Sequence, residues 1–264
     1  MENLKVYDFS LTNKVIAITG GYGYLGKAIC YNLIHHGAKV MVLGKSIEKF
    51  KYTFKNSQLK KNIHFISCDI SCSESIDSAF SEIVKKFDKI DVLINNAYYS
   101  KGQNPLKISD SEWNCGIDGT LSSIYRTIKY IAPLMIENKG GKIINVASMY
   151  GLVSPDFGVY RDYEEYLNPP HYGAAKAGVI QLTKYFANYL GHHKINVNSV
   201  TPGPFPNQEV QKSEAFVEIL KNKTALNRIG EPEDLAGIFT FLSSEASNFI
   251  TGQNIIIDGG WTSR

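Results

Sequence analysis

Residues 14–26 read Lys14-Val-Ile-Ala-Ile-Thr19 and then Gly20-Gly-Tyr-Gly-Tyr-Leu-Gly26. An apolar, β-branched run that stops at a glycine-rich turn and passes at once into helix-forming residues is the opening of a strand–turn–helix unit. Such a turn suits a pyrophosphate. Glycines let the backbone approach closely, and the first helical turn offers unpaired N–H groups at the positive end of its dipole. The same alternation continues along the chain. Short apolar runs occur at Lys14–Thr19, Lys39–Leu43, Ile63–Ser67, Val92–Ile94, Lys142–Val146, Ile195–Val200 and Asn254–Ile257. Between them, helical periodicity marks Leu25–His36, Ile76–Phe87, Ser111–Asn138, Tyr172–Leu190 and Pro232–Ser243. Strands that are apolar throughout are those covered by helices on both faces. The expected fold class is therefore α/β: a Rossmann-type, doubly wound, parallel seven-stranded sheet with helices on both faces. No repeat or linker divides the chain, so one domain over residues 1–264 is expected, with 1–12 as a lead-in.

Composition narrows the function classes. The chain is 44% hydrophobic and 20% charged with a formal net charge of +3, the balance of a globular protein with a substantial core. Its lysines are dispersed, which leaves no footprint for nucleic acid or an anionic membrane. No run reaches the roughly 18 apolar residues that a membrane span needs, and the N-terminus has no apolar signal core. Of Cys30, Cys68, Cys72 and Cys115, only one pair is close, and no His or second pair completes a zinc spacing. Reduced thiols, no metal and a cytoplasmic location are expected. The Lys45–Lys61 stretch, where charges alternate with Phe and Tyr, reads as a solvated helix face with an aromatic underside.

The second strand ends in Gly44-Lys45-Ser46. In such folds the residue after this strand meets the adenosine ribose, where an acid takes a free 2′-hydroxyl and a cation suits a 2′-phosphate. Lys45 therefore favours NADP(H) over NAD(H). Further on, Tyr172-Gly-Ala-Ala-Lys176 places a phenol and an ammonium on one helix face. A free phenol titrates near pH ~10, and a fixed ammonium beside it, together with the positive nicotinamide of an oxidised cofactor, lowers that value toward neutrality. Ser148, at the end of the Lys142–Val146 run, can hold a carbonyl oxygen on which charge develops.

Together, Thr19–Gly26, Ile94-Asn-Asn-Ala97, Ser148, Tyr172 with Lys176, Pro202-Gly203 and the terminal Thr251-Gly-Gln-Asn-Ile-Ile-Ile-Asp-Gly-Gly-Trp261 resemble the single-domain short-chain dehydrogenase/reductase family. The broader likeness is to gluconate 5-dehydrogenase-like and 3-oxoacyl-carrier-protein reductase-like members. The resemblance implies Tyr172 as general acid/base, Lys176 as its modulator and a ligand of the nicotinamide ribose, and Ser148 as the carbonyl-orienting hydroxyl. It implies a dinucleotide site formed by Gly20, Tyr22, Gly23, Tyr24, Leu25, Gly26, Lys45, Asp69, Ile70, Asn96, Ala97, Tyr172, Lys176, Pro202 and Gly203. Within that site Asp69 is expected at adenine and Pro202–Gly203 beside the nicotinamide. Asn95 is expected to steady the central sheet.

Three departures stand out. Tyr24 occupies the place of the family's middle glycine, giving a Gly-x-x-Gly-x-x-Gly spacing commoner in two-lobed epimerases, whose extra lobe this chain is too short to contain. Thr120 stands where members place a relay asparagine, and Thr120 or Asp118 is open as its replacement. Ser148 and Tyr172 are 24 positions apart, well beyond the family's usual spacing. The additional segment, 149–171, must start and end at the active-site mouth. Its Tyr160-Arg-Asp-Tyr-Glu-Glu-Tyr166 run is polar and aromatic, with Arg161 available for an anionic group. The expected activity is NAD(P)(H)-dependent interconversion of a secondary alcohol and a ketone on a sugar, sugar acid or polyol. The alternatives are a 3-oxoacyl thioester reductase and, from another class, a non-catalytic dinucleotide sensor. The expected partners are a small carbonyl or alcohol and further copies of the chain, as tetramer or dimer, meeting through Ser111–Asn138 and Tyr172–Leu190. His171 is a candidate to touch substrate, and Tyr185–Tyr189 are expected in the core or a subunit interface.

Overall fold

The computed structural model describes residues 7–55 and 61–263. Seven strands, β1 (Val15–Thr19), β2 (Lys39–Gly44), β3 (Ile63–Ser67), β4 (Val92–Asn95), β5 (Gly141–Val146), β6 (Ile195–Pro202) and β7 (Asn254–Ile257), pair in parallel in the order β3-β2-β1-β4-β5-β6-β7. Each expected strand is present within a residue or two of its predicted ends. The order reverses between β1 and β4, which pair directly through Ile18 and Ile94. A crevice opens above such a reversal at the carboxyl ends of the strands.

Side-chain alternation divides the core into two layers. Ile16 and Ile18 of β1 join Ile29 and Leu33 of α1 (Tyr24–His35) and Leu235 and Phe239 of α9 (Pro232–Ser243) on one face. Val15 and Ala17 point the other way. There they meet Phe80 of α3 (Ser73–Phe87), Ile128 of α5 (Ser123–Glu137) and Val179 of α6 (Pro170–Leu190). Period-2 strands feeding both layers explain why their sequences are apolar without interruption. Leu11 of the lead-in is buried and its N–H donates to His36 O at 2.8 Å; residues 1–6 of that lead-in lie outside the described residues.

Several elements differ from expectation. The periodic stretch Ser111–Asn138 is not one regular helix. It comprises α4 (Asp110–Ile117), a π-helical turn at Asp118–Ser122, and α5. Gly119, inside that turn, has no room for a Cβ against Tyr99 of the β4–α4 loop. Helix α2 (Ile47–Thr53) realises the first part of the Lys45–Lys61 reading. Its Phe50 packs on Phe54 and Phe65, while residues 56–60 lie outside the described set. Two further helices, α7 (Gln208–Gln211) and α8 (Glu214–Lys223), follow β6 and have no counterpart in the periodicity analysis. Tyr185 and Tyr189 are not core residues in this chain: both are exposed and stacked on each other. No helix among the described residues is long and apolar enough to cross a membrane.

Candidate active site

The carboxyl ends of the strands border a cleft of about 830 Å³ that runs from the glycine turn to the 149–171 insertion. At one end, Gly20 adopts φ +65°, a conformation that favours glycine, and its N–H donates to Leu43 O at 2.8 Å. Gly23 caps α1 without any side-chain acceptor, so the first N–H groups of the helix are left for a ligand. Gly26 does not line the cleft. A Cβ on it would lie 2.6 Å from Gly20 O and 2.8 Å from Gly21 Cα, so its smallness lets the helix pack behind the turn. Tyr24, the departure from the family pattern, extends toward α7, where its phenol oxygen accepts from Gln211 Nε2 at 2.9 Å. Tyr24 still lines the cleft, together with Tyr22 and Leu25 of the same turn.

The next part of the cleft is organised around Lys45 and Asp69. Lys45 Nζ lies 3.7 Å from Asp69 Oδ2, and the Lys45 N–H donates to Tyr22 Oη at 3.1 Å. Tyr22 in turn packs on Gly44, where a Cβ would collide with the ring. Burial pushes the Asp69 carboxyl up, but hydrogen bonds from the Ser71 N–H (2.9 Å) and Oγ (2.7 Å), together with Lys45, outweigh it and hold the group below its ordinary range. Ile70 lines the same region, and its carbonyl accepts from Arg126 Nε at 3.2 Å. The Asn96 and Ala97 N–H groups both donate to Thr19 Oγ1 at 3.0 Å, and Asn96 Nδ2 donates to Thr19 O and Gly20 O. These bonds fix the β4 exit against the glycine turn. Beneath them runs a buried polar chain. Thr127 Oγ1 donates to Asn95 Oδ1 (2.8 Å), Asn95 Nδ2 to Asn145 Oδ1 (2.9 Å), and Asn145 Nδ2 to Thr183 Oγ1 (2.9 Å), tying α5, β4, β5 and α6 together.

At mid-cleft, β5 delivers Ser148 and the first turns of α6 deliver Tyr172 and Lys176. The Ser148 hydroxyl hydrogen-bonds the Tyr172 phenol. Lys176 Nζ sits 5.6 Å from the Tyr172 ring centre and donates to Val146 O at 2.5 Å. Burial raises the Tyr172 phenol above its ordinary range, Tyr98 adds to that, and the Ser148 bond offsets part of it. Burial also brings Lys176 down to about 7. By themselves these groups supply only part of the expected charge, because a desolvated lysine is a weak source of positive charge. A further positive charge in the cleft is needed to bring the phenol toward neutrality. Pro202 and Gly203 line the opposite wall; a Cβ on Gly203 would meet Asp258 at 2.5 Å, so this backbone is pressed against the β7 exit.

Tyr98 escaped the sequence reading. Its ring is 5.6 Å from that of Tyr172 and 5.7 Å from Lys176 Nζ, and it lines the cleft. The only signal was its place directly after Ala97. Phe205, Phe216 and Gln103 of the cleft wall were missed as well, since each comes from a segment without a motif.

The insertion reaches the cleft, which Tyr160, Glu165, Tyr166 and Asn168 help to line, but it departs from the expectation in part. Tyr150, Val159 and Tyr160 are buried in a third apolar cluster with Phe216 and Leu220 of α8, while Phe157 is exposed. The phenols of Tyr150 and Tyr160 are hydrogen-bonded to each other. Arg161 is exposed and lies outside the cleft lining, so it is not placed to meet an anionic group there. Gln103 Nε2 donates to the carbonyls of Glu165 and Leu167 at 2.5 and 2.9 Å, fastening the insertion to the β4–α4 loop. His171 is buried against Trp113 with Nε2 2.9 Å from Lys101 O, and it does not line the cleft. Of the two relay candidates, Asp118 is committed to Arg126 (two bonds of 2.8 Å) and to Tyr99. Thr120 Oγ1 is buried without a partner among the described residues. Neither lines the cleft.

A family model described as Enoyl-(Acyl carrier protein) reductase matches residues 24–262. The 3-oxoacyl-[acyl-carrier-protein] reductase FabG of Thermotoga maritima is 31% identical over 254 residues, 95% of this chain and 98% of that protein. The 7alpha-hydroxysteroid dehydrogenase of Bacteroides fragilis is 33% identical over 263 residues, covering 95% of each. Among solved structures, a gluconate 5-dehydrogenase from Burkholderia cenocepacia J2315 in complex with NADP and tartrate superposes with a TM-score of 0.86 at 25% identity, over 97% of this chain and 98% of that one. The chain belongs to the short-chain dehydrogenase/reductase family. It is an oxidoreductase acting on CH–OH groups, interconverting secondary alcohol and ketone.

Proposed function

We propose that this oxidoreductase prefers NADP(H) and acts on a sugar, sugar acid or polyol. The observation that carries the reading is the hydrogen-bonded Ser148–Tyr172 pair with Lys176 one turn along, set midway in a cleft whose other end is a glycine cradle beside Lys45. The glycine turn and the free N–H groups of α1 would hold the pyrophosphate, Lys45 a 2′-phosphate, and Lys176 the nicotinamide ribose. The bound cofactor supplies the hydride-carrying carbon and, when oxidised, a positive charge near the phenol. Ser148 and Tyr172 orient the substrate oxygen, and Tyr172 passes its proton to that oxygen in reduction and takes it back in oxidation.

The intact acid–base set separates this reading from a dinucleotide sensor, which has no use for a proton donor. The apolar wall of Phe205, Val210, Phe216 and Leu220 supports a second reading, reduction of a 3-oxoacyl thioester. One panel decides: sugar acids, polyols and β-keto thioesters, each with both cofactors, followed by nicotinamide absorbance. Turnover of a polyol or sugar acid with NADP(H), lost in Tyr172→Phe while NADPH still binds, is the expected result. Turnover confined to the thioesters, or none in the wild type, overturns it. The reading extends to a tetramer or dimer, supported by the exposed, stacked Tyr185 and Tyr189 on α6. A monomer mass by light scattering at micromolar concentration would remove that part.

A further inference from the structure

The cleft changes character along its length. At the adenosine end Lys45 and Asp69 form an ion pair, and Lys176 lies near the middle. Beyond Ser148 and Tyr172 the walls are rings: Tyr98, Tyr150, Tyr160, Tyr166, Phe205 and Phe216. Among the described residues that line this end, the one charged side chain belongs to Glu165. Among the cations of the surrounding segments, Lys223 pairs with Asp156 at 2.7 Å and Lys212 with Glu209 at 2.6 Å, while Lys101 and Arg161 are exposed outside the lining. Uncharged hydrogen-bonding groups come from Ser100, Gln103 and Asn168.

An organic anion entering this end would leave water and, beyond Lys176 and the nicotinamide at the reacting centre, meet no cation of the lining, with the acidic Glu165 among the residues at the mouth. Desolvation of an unpaired charge and like-charge repulsion act in the same direction. Aromatic walls instead stack on the C–H faces of a neutral ring or chain, with hydroxyls directed to the few polar groups. We infer that the substrate is an uncharged carbohydrate, a neutral sugar or polyol, and that the ring-walled end with Glu165 at its mouth rejects sugar acids. This rests on the proposed function and narrows its substrate class.

The test uses the full chain with NADP(H) and pairs differing only in a carboxylate: glucitol against gluconate, and methyl glucoside against methyl glucuronoside. In the wild type kcat/KM for the neutral member should exceed that for the acid by at least tenfold. Glu165 is exposed, so its replacement leaves the core undisturbed. Glu165→Gln should narrow the ratio several-fold, and Glu165→Arg should narrow it further by raising kcat/KM for the acid. Preference for the acid in the wild type, or a ratio unmoved by Glu165→Arg, overturns the inference and leaves the sugar, sugar acid or polyol reading standing. Turnover of neither member of either pair, alongside Tyr172-dependent turnover of a 3-oxoacyl thioester, removes both.

Discussion

Replacing Lys176 with methionine should abolish turnover and, at neutral pH, stabilise the fold. Lys176 is 3% exposed, its ammonium has one acceptor in Val146 O at 2.5 Å, and burial lowers its pKa from 10.5 to about 7. The unfolded chain keeps the proton up to its ordinary pKa, whereas the folded chain releases it near 7. Unfolding therefore takes up a proton between those values, and wild-type stability rises with pH across that window. Below about pH 7 the penalty is present in full, and above about pH 10.5 it is gone. At pH 7 it amounts to about 4 kcal/mol, taking about 1.4 kcal/mol per pH unit. Methionine keeps an unbranched stem of similar length but loses the bond to Val146 O, a cost of about 1–2 kcal/mol. The net gain is about 2–3 kcal/mol, or roughly 5–10 °C in thermal midpoint for a chain of this size. Melting curves by circular dichroism at pH 7 and pH 10 measure it directly, with the two proteins converging at the higher pH. A lower midpoint for Lys176→Met at pH 7, or a gap that does not change with pH, would refute the reasoning. A stabilised, inactive variant is the expected signature of a group held in an unfavourable environment for its chemistry.

Gly26→Ala forces a Cβ to 2.6 Å from Gly20 O, with backbone on both sides. It should weaken NADPH binding at least tenfold and lower stability by about 1–3 kcal/mol, read by fluorescence titration and melting. Unchanged NADPH affinity would show that the turn does not set the cradle. Asn145→Leu severs the chain that joins Asn95 to Thr183, stranding the buried Asn95 Nδ2 on β4 while the Thr183 hydroxyl keeps Val179 O. A loss of about 2–4 kcal/mol in urea denaturation is expected; a loss under 1 kcal/mol would mean that the chain contributes little. Lys45→Ala should weaken NADPH about tenfold while changing NADH less than twofold, the difference a charge-assisted phosphate contact makes. Equal effects on the two cofactors would remove the preference for the phosphorylated form.

Much of this molecule is written locally in its sequence. The seven apolar runs and the turn at Gly20–Gly26 determine a parallel sheet because strands buried on both faces must be apolar throughout, and because only glycines close that turn. The Tyr172–Lys176 pair follows from helical spacing alone. Tertiary structure decided what depends on contacts between distant segments. Tyr98 comes to lie over Lys176, and Gln103 fastens the insertion, through loop paths that no periodicity encodes. The short helices α7 and α8 are anchored through Val210, Phe216 and Leu220, which pack against the insertion. The charge of the Tyr172 and Lys176 pair is likewise a property of burial. A lysine reads as an ammonium in sequence, and only its desolvation in the folded cleft makes it weakly basic. The insertion is polar in composition, yet Tyr160, Tyr163 and Tyr166 pack on Phe216 of α8 while Arg161 faces out, because burying those rings together removes apolar surface from water.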